Sequence, residues 1–338
     1  MVTIEQVAAA AGVSVATVSR TLNNIPTVKA ETAERVRAAV EALHYTPNQS
    51  ARNLRRNESR VILALAPNFS NPFYSRILSG IGDQARETEY SVLFCNTSSR
   101  PEEARPFLQM LETRRADAAI FLGCNRDDFW LKEYTERFPV VLCCEYVPEL
   151  GGRTVSIDNY AASTEIICYL QKLGHTRIGM LSADNRFIST ELRRRGFRDA
   201  MQAAGLPDPT ADIVLADADY SFASGQKAAK ALLTGKDRPT AVFCVSDILA
   251  LSVISVAEEL GLSVPEDLTV TGFDDVDYTT MFHPWLTTVS QPCYEMGRLS
   301  TVKALELLQG AERTENGCHF LAHRLVERES SGPVPENK

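Results

Sequence analysis

The chain has 338 residues, 44% of them hydrophobic, and a net charge of −8. That length is too great for one typical domain and suits two or three. No apolar run approaches the roughly 18 residues of a membrane span, and the N-terminus lacks the basic-then-apolar pattern of a signal peptide, so a cytoplasmic protein is expected. The charge divides unevenly: residues 1–60 carry +3 and the remainder −11. Such asymmetry predicts a small DNA-contacting head on an acidic body. None of the eight cysteines forms a Cys-x-x-Cys pair, and several lie in apolar stretches, so all are expected to be reduced core residues.

Residues 3–22, TIEQVAAAAGVSVATVSRTL, read as two short helices joined by a tight turn. Thr3 and Gln6 fit a capping box. Ile4, Val7, Ala8 and Ala11 recur with helical period and give one apolar stripe. Gly12 supplies a turn that needs positive φ, and Ser14 restarts a helix as its N-cap. Val18 and Leu22 then face the first helix and leave Val15, Ala16, Thr17, Ser19 and Arg20 outward. An ordinary helical hairpin has this pattern too, but so does the helix-turn-helix, whose second helix enters the major groove. A polar loop from Asn23 to Lys29 leads to a third helix, about 31–44, with Val36, Ala39, Val40 and Leu43 inward. Lys29 is a poor cap there and suits a phosphate contact. Tyr45-Thr46-Pro47 ends that helix. Asn48 caps a further short one over Gln49–Arg56, which carries Ala51, Arg52, Leu54 and Arg55. A helix this short, with no core of its own, is expected to order only on DNA or against its copy in a dimer.

The stretches TIEQVAAAAGVSVATVSRTLN and HYTPNQSARNL resemble the LacI/GalR family of bacterial transcriptional repressors. The resemblance covers essentially the whole chain. It implies that Val15 and Ala16 occupy the specificity positions and that Arg20 reaches bases or phosphate. It also implies that Leu54 wedges into the minor groove at the centre of a palindromic operator, where unstacking costs a few kcal/mol and is offset by the contacts a bend permits. With Thr3, Ser14, Thr17, Ser19, Asn23, Lys29, Tyr45, Asn48, Ala51, Arg52 and Arg55, these form the expected DNA-binding set.

Beyond Arg60 the pattern changes. Apolar runs at Val61–Ala66, Val92–Cys95, Ala118–Leu122, Val140–Cys143, Ile178–Leu181, Ala241–Val245 and Val270–Phe273 read as strands. Between them, Phe73–Glu87, Glu102–Arg114, Ala161–Leu173, Leu192–Ala204, Ala223–Leu233 and Leu249–Leu260 read as amphipathic helices. Strands apolar throughout and alternating with helices predict parallel sheets covered on both faces. The expected fold is thus an all-α helix-turn-helix head plus an α/β body of two doubly wound parallel-sheet lobes, like periplasmic binding proteins. The head spans 1–47, the hinge and linker 48–60, and the effector-binding and dimerisation body 61–330. Lobe one is assigned 61–159 and 291–318, lobe two 160–288 and 319–330, and 331–338 is read as a disordered tail. That tail lacks the apolar heptads of a tetramerising coiled coil, so a homodimer is expected.

Ligands of such folds bind beyond the carboxyl ends of the strands. Phe73 and Tyr74, Tyr220, Ser246-Asp247 and Asp274-Asp275 stand at such ends, and Arg193 shortly precedes Gly196-Phe197. The resemblance implies effector contacts at Arg193, Tyr220 and Asp274, with Ser246 replacing the family's usual Asn. Asp247 and Asp275 are expected as helix caps, and Arg194 and Arg195 as solvated charges. The segments RNESRVILALAP, PELGGRTVSIDN and TAVFCVSDILAL are most similar to cytidine-responsive members of the family, which implies a nucleoside effector; a sugar would suit the same Arg–Asp pair. Contact with another transcription regulator is the further partner such members suggest. No Gly-x-Ser-x-Gly, Walker loop or complete Gly-x-Gly-x-x-Gly occurs, so no enzyme and no cofactor is expected. Cys318, His319 and His323 read as part of one closing strand, CHFLAHRLVER, rather than as metal ligands. A small-molecule-binding protein without regulatory DNA binding would fit the body but leave the head unexplained.

Overall fold

The computed structural model describes residues 2–23, 25–46, 58–206, 213–235, 237–311 and 317–335. They form two units, a head up to Ser59 and a body from Arg60.

The head consists of α1 (Ile4–Ala11), α2 (Val15–Leu22) and α3 (Ala30–Ala42). Thr3 and Gln6 close the capping box: Gln6 N donates to Thr3 Oγ1 at 3.4 Å and Thr3 N to Gln6 Oε1 at 2.9 Å. Gly12 turns the chain at φ 64°. Ser14 caps α2 by accepting from Thr17 N at 3.2 Å. Val7, Ala8, Ala11, Val18, Val36 and Ala39 form the small core, with Leu22, Leu43 and Tyr45 packed at its margin. Lys29 precedes α3 without a side-chain cap.

The body alternates strands and helices: β1 (Val61–Ala66), α4 (Pro72–Arg86), β2 (Ser91–Asn96), α5 (Pro101–Glu112), β3 (Ala118–Leu122), α6 (Lys132–Arg137), β4 (Val140–Cys143) and β5 (Arg153–Ile157). Then come α7 (Asn159–Lys172), β6 (Ile178–Ala183), α8 (Ile188–Ala203), β7 (Ile213–Ala216), α9 (Phe222–Leu233), β8 (Ala241–Cys244), α10 (Asp247–Glu259), β9 (Thr269–Asp274) and β10 (Thr287–Ser290). The chain closes with α11 (Cys293–Leu308), β11 (Gly317–Leu321) and β12 (Arg324–Val326). Sheet one has the order β11-β5-β4-β3-β1-β2 and sheet two β12-β10-β9-β8-β6-β7. Every pairing is parallel except that of β12 with β10. The central strands β3, β4, β8 and β9 are buried along their whole length because helices cover both faces. Helices α4 and α11 pack together in lobe one. A Cβ on Gly80 would lie 2.1 Å from Tyr294 O, so glycine there lets the two backbones meet.

The chain crosses between lobes three times: between β5 and α7, at 291–292, and at 322–323. The last crossing falls later than the boundary assigned between residues 318 and 319, because the expected single closing strand is two strands. Gly317–Leu321 pairs with β5 in sheet one, and Arg324–Val326 turns over to sheet two. The tail also differs from expectation over 331–335. Ser331 Oγ lies 2.7 Å from Thr287 Oγ1, Gly332 N donates to Thr269 Oγ1 at 3.1 Å, and Val334 N donates to Leu173 O at 2.9 Å. Buried threonines supply the partners that the apolar pattern could not reveal. Cys95, Cys124, Cys143, Cys144, Cys244 and Cys293 are buried, whereas Cys168 is exposed on α7, contrary to a uniformly core assignment.

Candidate functional site

In the head, Ala16 and Arg20 are exposed on one face of α2, while Val15, Thr17 and Ser19 are half-buried. Val15 packs partly against the head's core, so it is less outward than expected. The Thr3 and Ser14 oxygens already serve as caps, and Asn23 Nδ2 donates to Ser19 O at 2.7 Å. Lys29 is exposed and Tyr45 half-buried. Asn48, Ala51, Arg52, Leu54 and Arg55 lie outside the described residues.

In the body, parallel strands of both sheets present their carboxyl ends to one interlobe cleft. Asn71, Phe73 and Tyr74 follow β1; Cys144 and Glu145 follow β4; Phe187, Ser189 and Arg193 follow β6. Tyr220 follows β7, Ser246 follows β8, Asp274 ends β9 and Gln291 follows β10. All six expected effector residues line this cleft. Phe73 and Tyr74 do so while also packing in the core, their rings edge to face at 5.1 Å.

Arg193 is 6% exposed. Its Nε donates to Asn159 Oδ1 at 2.9 Å and its Nη1 to Val245 O at 2.6 Å. The guanidinium carbon lies 3.6 Å from the centroid of the Phe273 ring, a cation–π contact in a desolvated setting. Asp274 sits at φ 116° and accepts from Gln291 Nε2 at 2.7 Å. Burial lifts its carboxyl to about 7, against the lowering pull of Arg193 and Gln291. Ser246 caps α10, accepting from Leu249 N at 3.4 Å, and still lines the cleft.

Neither Asp247 nor Asp275 is a helix cap. Asp247 is fully buried and accepts from Val276 N at 2.9 Å and Thr288 Oγ1 at 2.6 Å, bracing the turn after Asp274. Burial, then the neighbouring Asp274 charge, raises its carboxyl well above the ordinary range. Asp275 instead pairs with Arg328, Nη2 to Oδ1 at 2.6 Å. Arg195 is exposed and pairs with Asp199 at 3.5 Å, while Arg194 is half-buried.

Glu145 and Gln291, with Cys144, Phe187 and Ser189, are cleft residues that escaped the sequence reading. Glu145 is buried and takes both Ser189 N (2.8 Å) and Ser189 Oγ (2.7 Å) across the lobes. Burial raises its carboxyl, while the Ser189 bonds lower it. Its position directly after an apolar strand was the available signal. Gln291 was hidden, because only the crossing between lobes brings it to Asp274. The arrangement is one of binding: an arginine, two acids and aromatic rings in a desolvated cleft.

Comparison with known proteins fits both units. Residues 3–48 match bacterial regulatory proteins of the lacI family, and residues 167–331 match a periplasmic binding protein-like domain. The HTH-type transcriptional repressor CytR of Escherichia coli (strain K12) is 36% identical, over 98% of this chain and 97% of its own. The structure of the Lac repressor dimer bound to operator and the anti-inducer ONPF is 26% identical with a TM-score of 0.88, covering 98% of this chain and 99% of that one. The transcriptional regulator CelR–cellobiose complex is 28% identical with a TM-score of 0.74, covering 98% and 100%.

Proposed function

The chain belongs to the lacI family of bacterial regulatory proteins, and on that premise we propose that it is a homodimeric repressor of a palindromic operator controlled by a nucleoside such as cytidine. Its relatives are transcriptional regulators, not enzymes, and its two units are a DNA-binding head and an effector-binding body. The observation that carries the effector reading is the buried Arg193–Asp274 pair aimed into an aromatic-walled cleft. A carboxylate accepts two hydroxyls of a ribose diol, the guanidinium donates to a ring oxygen or carbonyl, and Tyr220 or Phe187 stacks on a base. Effector binding biases the lobe arrangement by its different affinity for the two states, and through it the affinity for operator. Residues Ala16, Arg20 and Leu54 are assigned to operator recognition on the same family ground.

A sugar effector is the second reading, favoured by the similarity to CelR, whose structure carries cellobiose. Thermal shift of the full chain against nucleosides, nucleobases and sugars separates the two. A ligand at 100 times its Kd adds about 2.7 kcal/mol to stability, which is readily measured. A shift with nucleosides alone supports the first reading; a shift with sugars alone replaces it by the second. If no small molecule acts, control by another transcription regulator becomes the reading to test.

A further inference from the structure

Outward of Tyr74, Phe187 and Tyr220 the cleft continues into a vestibule of about 230 Å³. Its walls include Asn68, Asn71, Asn96, Ser98, Ser99 and Asp219. The three asparagines are bonded in the same way. Asn68 Oδ1 accepts from Ser70 N at 2.8 Å, Asn71 Oδ1 from Phe73 N at 3.0 Å, and Asn96 Oδ1 from Ser98 N at 3.1 Å. A backbone N–H can bond only the oxygen of an amide, so these contacts fix which end is which. Each side chain therefore has its NH2 left to offer, and among the described residues no protein acceptor takes it. Asn185, two residues before Phe187, repeats the pattern. Its Oδ1 accepts from Phe187 N at 3.3 Å, and its buried NH2 faces the Tyr220 hydroxyl at the inner edge of the vestibule.

The vestibule is thus a wall of donors. No lysine or arginine lines it, and the Asp219 carboxylate is present, accepting from Ser221 N at 3.0 Å. An anion there would lack a counter-charge and face an acid. A hydroxyl can accept from such a wall but must place its own proton elsewhere, whereas a carbonyl beside a ring nitrogen offers two acceptors and no donor. What fits is a neutral group with adjacent acceptors and few donors.

We propose that the vestibule is a second subsite of the effector cleft, taking the carbonyl and ring-nitrogen acceptors of a pyrimidine base while Arg193 and Asp274 hold the ribose. The proposal rests on the nucleoside reading above and deepens it. The rings of Tyr74, Phe187 and Tyr220 lie where the two parts of the cleft meet and flank the join between sugar and base.

The test exchanges donor for acceptor without changing shape. Asn68→Asp and Asn96→Asp each keep an oxygen for the turn and replace the NH2 by a second oxygen; Asn96→Ser removes the donor without adding charge. Each full-length variant is titrated calorimetrically with cytidine and with D-ribose. The expected result is a cytidine affinity lowered at least tenfold by either Asp variant and several-fold by Asn96→Ser, with ribose affinity within twofold of the parent. Cytidine binding unchanged in all three overturns the subsite and leaves the nucleoside reading intact. Cytidine binding no tighter than ribose in the parent also overturns it, and moves the cleft reading to a sugar. If the parent binds neither, the nucleoside reading fails and the subsite with it.

Discussion

The Arg193 guanidinium and the Asp274 carboxylate stand 3.8 Å apart, too far for a hydrogen bond, and each is held by third parties. Asn159 and Val245 fix the arginine, and Gln291 fixes the acid. Nη2 of Arg193 and Oδ2 of Asp274 have no protein partner among the described residues, so the pair is positioned without being satisfied. That is the arrangement a polar ligand completes. Arg193→Ala is expected to lower effector affinity by a hundredfold or more while leaving operator affinity within a few-fold, because the head is a separate unit. Calorimetry with the effector and fluorescence anisotropy with operator DNA measure the two. Unchanged effector affinity would remove Arg193 from the site.

Asp274 also sets a pH dependence. Its carboxyl titrates near 7 in the folded chain, against 3.8 as its ordinary value. Between about pH 4 and 7 the native state therefore holds a proton that the unfolded chain has lost. Stability falls as pH rises through that window and levels off above it, by at most about 4 kcal/mol from this group. Burial raises Glu145 and Asp247 as well, so they act with the same sign. Urea unfolding from pH 4.5 to 8 should show the decline. Asp274→Asn should flatten part of it and be more stable than the parent at pH 8, since its amide oxygen can still accept from Gln291. A parent profile that rises with pH would refute the assignment.

The central strands were legible in the sequence because they are apolar throughout. Val61–Ala66, Ala118–Leu122 and Val140–Cys143 form over the residues their patterns mark. Strands β5 and β10 were not. Arg153–Ile157 and Thr287–Ser290 bury polar side chains that find partners only in the folded chain: Arg153 with Glu306 at 2.6 Å, and Thr288 with Asp247. The same applies to Asp247. A carboxylate at the start of a helix reads as a cap, and nothing local shows that it reaches the next strand. Arg193, Tyr220 and Asp274 were placed by family resemblance, whereas Glu145 and Gln291 required the register between lobes.

Gly272 is bound to Asp247 by lack of space. A Cβ at residue 272 would lie 2.3 Å from Asp247 Oδ1 and 2.9 Å from Leu286 Cδ2, both buried. Gly272→Ala must displace the carboxylate that braces the turn carrying Asp274. Overpacking of this kind costs about 1–3 kcal/mol, and the urea midpoint of the body should fall accordingly. Effector affinity should fall with it. A variant as stable as the parent would show that the strand can yield.

On the DNA side, Arg20 is exposed on α2 and is assigned a base or phosphate. A bidentate guanine contact contributes about 1–3 kcal/mol of discrimination. Arg20→Ala should then weaken operator binding ten- to a hundredfold and relax one operator position. A loss equal for all sequences, with a shallower salt dependence, would assign it to phosphate instead. Leu54→Ala should weaken operator binding far more than non-specific binding. Equal loss of both would sink the wedge.

The mouth of the cleft carries a four-charge clasp. Arg126 of lobe one lies 3.2 Å from Glu191 on α8, and Arg186 of lobe two pairs with Asp127. Between them Arg126 N donates to Arg186 O at 3.3 Å. The side chains are largely exposed, so each ion pair contributes only about 0.2–1 kcal/mol and is screened by salt. That is enough to bias lobe closure without locking it. Arg126→Glu places two acids together and should open the cleft, seen as a larger radius of gyration by X-ray scattering. The exchange Arg126→Glu with Glu191→Arg should restore the parent value, and raising salt should move the parent toward the single variant. If the exchange fails to restore closure, the backbone contacts alone hold the lobes and the charges are incidental.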